Sequence, residues 1–318
     1  MEKQKLNKVI GTYQSADHRS SITCFQYIPQ GVDKEHPPKA VVQVIHGMCE
    51  YVERYEHFAE FLAEQNIVMC GEDHLGHGRT AASEYELGYF GEKGGHMLLA
   101  KDAYRLTEKM KAQYPGVPYF YFGHSMGSFV LRDLLSRFKP SVTGAIICGT
   151  AGGGQPFGVA KLLIMLIRAV RGSRHRSKFI NQLMFGSYNR RIENPTSVHA
   201  WVSSDEKLVE VYDADPKCNF IFTIAAMEDL VNLLARVSEK NWAGQVPKEI
   251  PLYLVAGEQD PVGDYGKGVT QVYERLKAAG VQDVSLQLYP NDRHELLNEL
   301  DKDSVMNDLL VWMQAHGI

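Results

Sequence analysis

The chain has 318 residues, 44% of them hydrophobic and 23% charged, with a formal net charge of −4. This is globular composition, long enough for one large α/β domain with an insertion or for two small domains. The acidic balance argues against a nucleic-acid binder, which is normally basic, and no apolar run approaches the length of a membrane span.

Met1 to Lys5 is polar and leads into no apolar stretch, so no secretory signal is expected. Ser21 to Ile28 alternates as a strand does. Ala40 to Ile45 is β-branched and almost continuously apolar, the pattern of a buried parallel strand. A helix-period stretch from Tyr51 to Gln65 leads to a strand at Ile67 to Cys70. An amphipathic helix at Leu98 to Gln113 leads to a strand at Pro118 to Phe122, a helix over Ser128 to Leu135 and a strand at Gly144 to Cys148. Strands alternating with helices predict right-handed βαβ units and a mostly parallel sheet.

The alternation stops at Gly149. Ala151-Gly152-Gly153-Gly154-Gln155-Pro156 is a glycine-rich, proline-ended break. From there to about Val246 the pattern is helical, with polar loops and no buried strand. It resumes with a strand at Pro251 to Ala256, a helix at Tyr265 to Ala279, a strand at Val284 to Tyr289 and a closing helix at Val305 to Ala315. The expected fold class is therefore α/β, a central sheet flanked by helices. Residues 1–150 and 247–318 form the core, and residues 151–246 form a helical insertion. The five cysteines are odd in number and lack C-x-x-C spacing. Free thiols in a reducing cytoplasm are the expected state.

Gly123-His124-Ser125-Met126-Gly127 lies between an apolar strand and a helix. A G-x-S-x-G run in that context is a nucleophile elbow: the serine stands above the sheet on a sharp turn, at a helix N-terminus. A serine hydroxyl needs a base, and the base needs an orienting acid. On this topology they follow in the order Ser, Asp, His. Asp260 lies just past the strand ending near Ala256, and His294 just past the strand ending at Tyr289. Asp264 is a rival for the acid, with Asp260 preferred as nearer the strand end. The oxyanion donors expected are the backbone N–H groups of Met126, after the nucleophile, and of Met48, in His46-Gly47-Met48 after an early strand. Asp73, His74 and His77 stand close in sequence, but no further carboxylate or cysteine cluster completes a metal-ligand set. No metal or organic cofactor is expected.

These residues resemble the α/β-hydrolase superfamily, and within it the monoacylglycerol lipase and lysophospholipase-like branch grouped with the S33 serine aminopeptidases. His46-Gly47-Met48-Cys49-Glu50 with Arg54-Tyr55 resembles the branch's H-G-x-x-E…R-Y loop. Asp73 to Thr80 resembles D-x-x-G-H-G-x-S, with threonine in place of serine. Gly123 to Gly127 matches G-H-S-M-G, Gly257 to Val262 resembles the acid loop, and Tyr289 to Glu295 the histidine loop. The resemblance runs from about Ile22 to the C-terminus. It implies an α/β-hydrolase fold with the insertion as a cap or lid over Ser125. It also implies a serine esterase acting on acyl esters such as monoacylglycerols or lysophospholipids.

Val159, Leu162, Leu163, Leu166, Ile167 and Val170 mark one apolar helical face, and Ile164 and Met165 extend it. Such a helix is either buried against the core or faces an acyl chain or a lipid surface. Leu162, Leu163, Leu166 and Ile167 are the expected acyl-binding residues, and the cap is the expected point of transient membrane or micelle contact. Arg168, Arg171, Arg174, His175, Arg176 and Lys178 follow. They form either a solvated cationic face at a helix C-terminus or a patch for anionic headgroups. An aminopeptidase or amidase is the second enzyme reading. It would need an acid in the insertion to hold a free amine, with Glu193, Asp205, Glu206 and Glu228 available. A binding protein on a hydrolase fold is the third, and such proteins usually lack a triad member.

Overall fold

In the computed structural model, which describes residues 6–154 and 157–318, eight strands form one sheet. They are Leu6–Gln14 (β1), Ser21–Pro29 (β2), Ala40–Ile45 (β3), Ile67–Glu72 (β4), Tyr119–His124 (β5), Gly144–Cys148 (β6), Leu252–Gly257 (β7) and Val284–Tyr289 (β8), ordered β1-β2-β4-β3-β5-β6-β7-β8. Met1–Lys5 and Gln155–Pro156, the end of the glycine-rich break, lie outside the described residues. From β4 through β3 to β8 every neighbour is parallel, while β1 on β2 and β2 on β4 are antiparallel. Every residue of β3 to β7 is buried, which is why those runs read as continuous apolar stretches.

β1 escapes the sequence reading for the opposite reason. Its residues are almost all exposed, so no burial pattern marks it. Nine residue pairs with β2, from Leu6↔Pro29 to Gln14↔Ser21, hold it through the backbone ladder.

The helices are Glu56–Glu64 (α1), Gly95–Gln113 (α2), Met126–Phe138 (α3), Phe157–Arg171 (α4), Lys178–Phe185 (α5), Glu206–Ala214 (α6), Ile224–Val237 (α7), Trp242–Gln245 (α8), Lys267–Ala278 (α9) and Lys302–Ala315 (α10). α1 and α10 cover one face of the sheet, through Phe58 and Leu309 among others. α2, α3 and α9 cover the other, through Leu99, Val130 and Val272. The segment between β6 and β7 carries α4 to α8 and, among the described residues, no strand. Side-chain caps from Ser177, Asp205 and Thr223 start α5, α6 and α7.

This segment packs in two ways. α7 and α8 send Leu233, Val237 and Trp242 into the same core as α2 and α3. The residues around Val202, Tyr212 and Cys218 form a small separate cluster. Arg132 of α3 joins the ends of the segment. Its fully buried guanidinium donates to Thr150 Oγ1 (3.1 Å), to the Ala151 carbonyl (2.8 Å) and to the Val237 carbonyl (2.7 Å). It lies over the Trp242 ring at 4.4 Å, and Trp242 Nε1 donates back to the Arg132 carbonyl. Burial lowers the Arg132 pKa to about 9.

Arg132→Ala strips hydrogen bonds from two buried carbonyls and removes the ring's partner. The expected loss is about 3 kcal/mol of folding stability, measured by urea denaturation. A loss below about 1 kcal/mol would show that the junction is not held in this way.

Candidate active site

Ser125 sits between the end of β5 and the start of α3 with φ 52° and ψ −122°. A non-glycine residue here is strained by about 1–3 kcal/mol. The turn is fixed on both sides. The Ser125 N–H donates to the Cys148 carbonyl at the end of β6 (3.0 Å), and the Ser125 carbonyl accepts from the Ser128 N–H (2.9 Å) and hydroxyl (2.6 Å). Two glycines let the chain close around it. A Cβ on Gly127 would lie 1.9 Å from the Ile45 carbonyl oxygen, and one on Gly47 would lie 2.9 Å from Ser125 Cβ. The loop after β3 is thus pressed against the elbow. Met126 is the first residue of α3, so its N–H has no intrahelical acceptor. Met48 and Met126 line the same cavity as Ser125.

The loops after β7 and β8 bring Asp260 and His294 together. His294 Nδ1 is 2.9 Å from Asp260 Oδ2, and both side chains are buried. Asp260 Oδ1 accepts the Val262 N–H at 2.8 Å. The Gln259 N–H donates to the Asp292 carbonyl at 2.9 Å, which ties the two loops. Asp264 is exposed and takes no part. His294 and Ser125 line one cavity, with no hydrogen bond between them among the described residues. Such bonds often tighten only when substrate is bound.

A buried charge network stands behind these groups. The Glu50 carboxylate accepts from the Gly47 N–H and from Tyr55 Oη (3.0 Å), and lies 2.8 Å from His124 Nδ1. Arg54 pairs in two-pronged fashion with Glu295 (2.7 Å for each bond) and reaches Glu50 at 3.4 Å. His124 Nε2 faces the His294 carbonyl at 3.3 Å. Burial alone would raise the Glu295 pKa, but Arg54 holds it down to about 2. Burial disfavours a charged His124, and the Glu50 carboxylate outweighs this, leaving its pKa above the ordinary value. All these residues lie inside the sequence motifs, yet the sequence did not show their pairing. Arg54 and Glu295 are 241 positions apart.

The Asp73 loop has a structural role. Asp73 accepts the N–H groups of Val52 and Arg79. Thr80 Oγ1 donates to the Asp73 carbonyl and accepts the Thr23 N–H, so threonine supplies the hydroxyl that serine would. His46, His74 and His77 pack ring against ring. No group of three or more His, Cys, Asp or Glu that could hold a metal occurs among the described residues. All five cysteines are free and buried, and among the described residues no helix is long and apolar enough to cross a membrane.

The cavity holds about 630 Å³. The segment between β6 and β7 supplies much of its wall, including Phe157, Val159 and Ala160 of α4, Leu183, Met184 and Phe185 of α5, and Phe220 and Leu230. Leu162, Leu163, Leu166 and Ile167, the expected acyl contacts, are not in that wall. Helix phase is the reason. Ile164 is fully buried, and α4 packs on α7. Leu162, Met165, Leu166 and Val170 consequently face solvent. A helix apolar almost all round carries no phase in its sequence. The basic run also differs from a free patch. Arg168 pairs with Glu228 and Glu92, Arg174 stacks on Tyr85 and Tyr89, and Arg176 donates to the carbonyls of Ile221 and Leu87. Trp201 lies over the His294 ring at 5.1 Å, and the N–H groups of His294 and Glu295 both donate to the Val202 carbonyl.

A family model described as serine aminopeptidase, S33, matches residues 36–301. Human monoglyceride lipase is 24% identical over 280 residues, covering 87% of this chain and 82% of the relative. Monoacylglycerol lipase from Mycolicibacterium smegmatis is 24% identical over 282 residues, covering 88% and 89%. Among solved structures, a highly thermostable carboxyl esterase from Bacillus coagulans in complex with glycerol matches with a TM-score of 0.90 at 31% identity, over 99% of this chain and all of that one. A soluble variant of the Saccharomyces cerevisiae monoglyceride lipase, in complex with a substrate analog, shares the fold at TM-score 0.76 and 19% identity over 100% and 97%. The chain belongs to the serine aminopeptidase S33 family of α/β hydrolases, in the company of esterases and monoglyceride lipases.

Proposed function

We propose that the chain is a serine hydrolase for carboxylic esters with an apolar acyl group, monoacylglycerols or lysophospholipids first among them. The supporting observation is the buried Asp260–His294 pair opening, with the strained Ser125, onto one largely apolar cavity. Asp260 holds His294 Nδ1, which leaves Nε2 to take the Ser125 proton. Ser125 Oγ attacks the ester carbonyl. The N–H groups of Met48 and Met126 receive the oxyanion, at the end of α3 whose dipole favours negative charge. His294 then protonates the leaving alcohol, and water releases the fatty acid by the reverse sequence. The chemistry requires no cofactor.

The segment 151–246 serves as the cap. Its α4 and α5 wall the cavity on the inside and expose Leu162, Met165, Leu166, Val170 and Phe179 on the outside. That outer face is suited to transient contact with a micelle or membrane carrying the substrate. An amidase reading has less support. Of the acids it could use for a free amine, Asp205 caps α6, Glu228 pairs with Arg168, and neither Glu193 nor Glu206 lines this cavity. The carboxylates that do line it, Glu50 and Glu295, are engaged by His124 and Arg54.

A fluorophosphonate is expected to label Ser125 one-to-one, and Ser125→Ala to lose labelling and about 10⁴-fold or more in kcat. Labelling that persists in Ser125→Ala overturns the assignment. Ala160→Trp narrows the cavity. It is expected to cut kcat/KM for long-chain p-nitrophenyl esters about tenfold or more while sparing the acetate. Equal losses across the series would remove α4 from the acyl site.

A further inference from the structure

The four charged side chains behind the cavity are distributed over the three loops that carry Met48, Ser125 and His294. Glu50 takes the Gly47 N–H in the loop carrying Met48. His124 immediately precedes Ser125, and Glu295 immediately follows His294. Arg54 spans Glu50 and Glu295. All four are buried or nearly so, with side chains exposed by 11% or less.

The partners of His124 dictate its protonation. Nδ1 faces the Glu50 carboxylate at 2.8 Å, and Nε2 faces the His294 carbonyl at 3.3 Å. A carbonyl oxygen only accepts. Glu50 already accepts from Gly47, Tyr55 and Arg54, the pattern of an ionised carboxylate. A neutral imidazole has one N–H and serves one of these two acceptors; an imidazolium serves both. Charge balance agrees. Glu50 and Glu295 carry two negative charges and Arg54 one positive, and a buried ionic group is costly unless compensated. A protonated His124 makes the group neutral. The other titratable rings facing it are His294, at 4.8 Å between ring centres, and His46. Burial and its histidine neighbours keep His46 neutral.

On the serine-hydrolase reading above, we infer that His124 is held as an imidazolium closing a neutral tetrad with Glu50, Arg54 and Glu295, and is a positioning residue for Ser125 and His294. Its second N–H fixes the His294 backbone to the strand end that carries the nucleophile. Neutrality has a further effect. His294 gains a positive charge during turnover, and a neutral tetrad leaves Asp260 as its counter-ion. Without the His124 charge the group is net negative beside His294. The charged form of His294 is then favoured, and less of it is free to act as base.

The test is ¹⁵N NMR of the histidine-labelled protein with the His124 ring assigned through bonds. Both ring nitrogens are expected to be protonated from neutral pH into the alkaline range; a ring with one bare nitrogen overturns the inference. His124→Asn is expected to lower kcat about 10²-fold with KM little changed, and to move the acid limb of the kcat/KM profile to higher pH. Wild-type kcat with an unmoved limb also overturns it. Should His124→Asn not fold, the wild-type spectrum decides alone. Failure of the wild type to react with a fluorophosphonate counts against the hydrolase reading, and the state of the His124 ring is read independently of it.

Discussion

The backbone at Ser125 is held where few residues go, and the rest of the site depends on what holds it. Strain of about 1–3 kcal/mol persists only under constraint from several sides. Here β6 takes the Ser125 N–H, α3 takes its carbonyl, and the loop after β3 presses in through Gly47. The sheet order makes this possible. Because β3, β5 and β6 are parallel neighbours, their C-terminal ends emerge side by side. The same geometry delivers the loops after β7 and β8, with Asp260 and His294, to that edge.

Legibility in the sequence followed burial. β3 to β7 are buried along their whole length, so the buried parallel strands among them read as unbroken apolar runs, and the ends of β5 and β7 place the expected Ser125 and Asp260, while His294 follows the only partly buried β8. β1 is exposed and has no such signature. α4 shows the converse: apolar residues all round specify a helix without saying which face packs. Ile164 alone of that run is fully buried, and its contact with the core aims Leu162 and Leu166 outward. The arginines after α4 carry the same lesson. Charge in a sequence shows that a partner is wanted, and only the fold shows that Arg168 and Arg176 find theirs within the chain.

The segment between β6 and β7 is divided by its packing. α7 and α8 belong to the sheet's own core, locked by Arg132 and Trp242. Residues 200–204 are bound to the histidine loop: the Val202 carbonyl takes the His294 and Glu295 N–H groups, and Arg293 donates to the Ala200 and Ser203 carbonyls. α4 and α5 anchor in the sheet's core through Ile164 and Ile180 and leave many of their other apolar side chains exposed. Among the described residues, this segment's hydrogen bonds to the histidine loop therefore come from residues 200–204, not from α4 or α5.

A buried ionic group is poor evidence for stability, since apolar residues of the same volume often do as well. Its value here lies in direction. Hydrophobic contacts are non-directional and tolerate sliding, whereas the two-pronged Arg54–Glu295 pair and the Glu50–His124 contact fix both distance and angle. Three loops that are distant in sequence must meet to within a fraction of an ångström for the proposed acyl transfer. The sheet brings their ends near one another. A charge group with at least one member on each loop opposes their displacement, because moving any loop separates charges in a medium where separation is expensive.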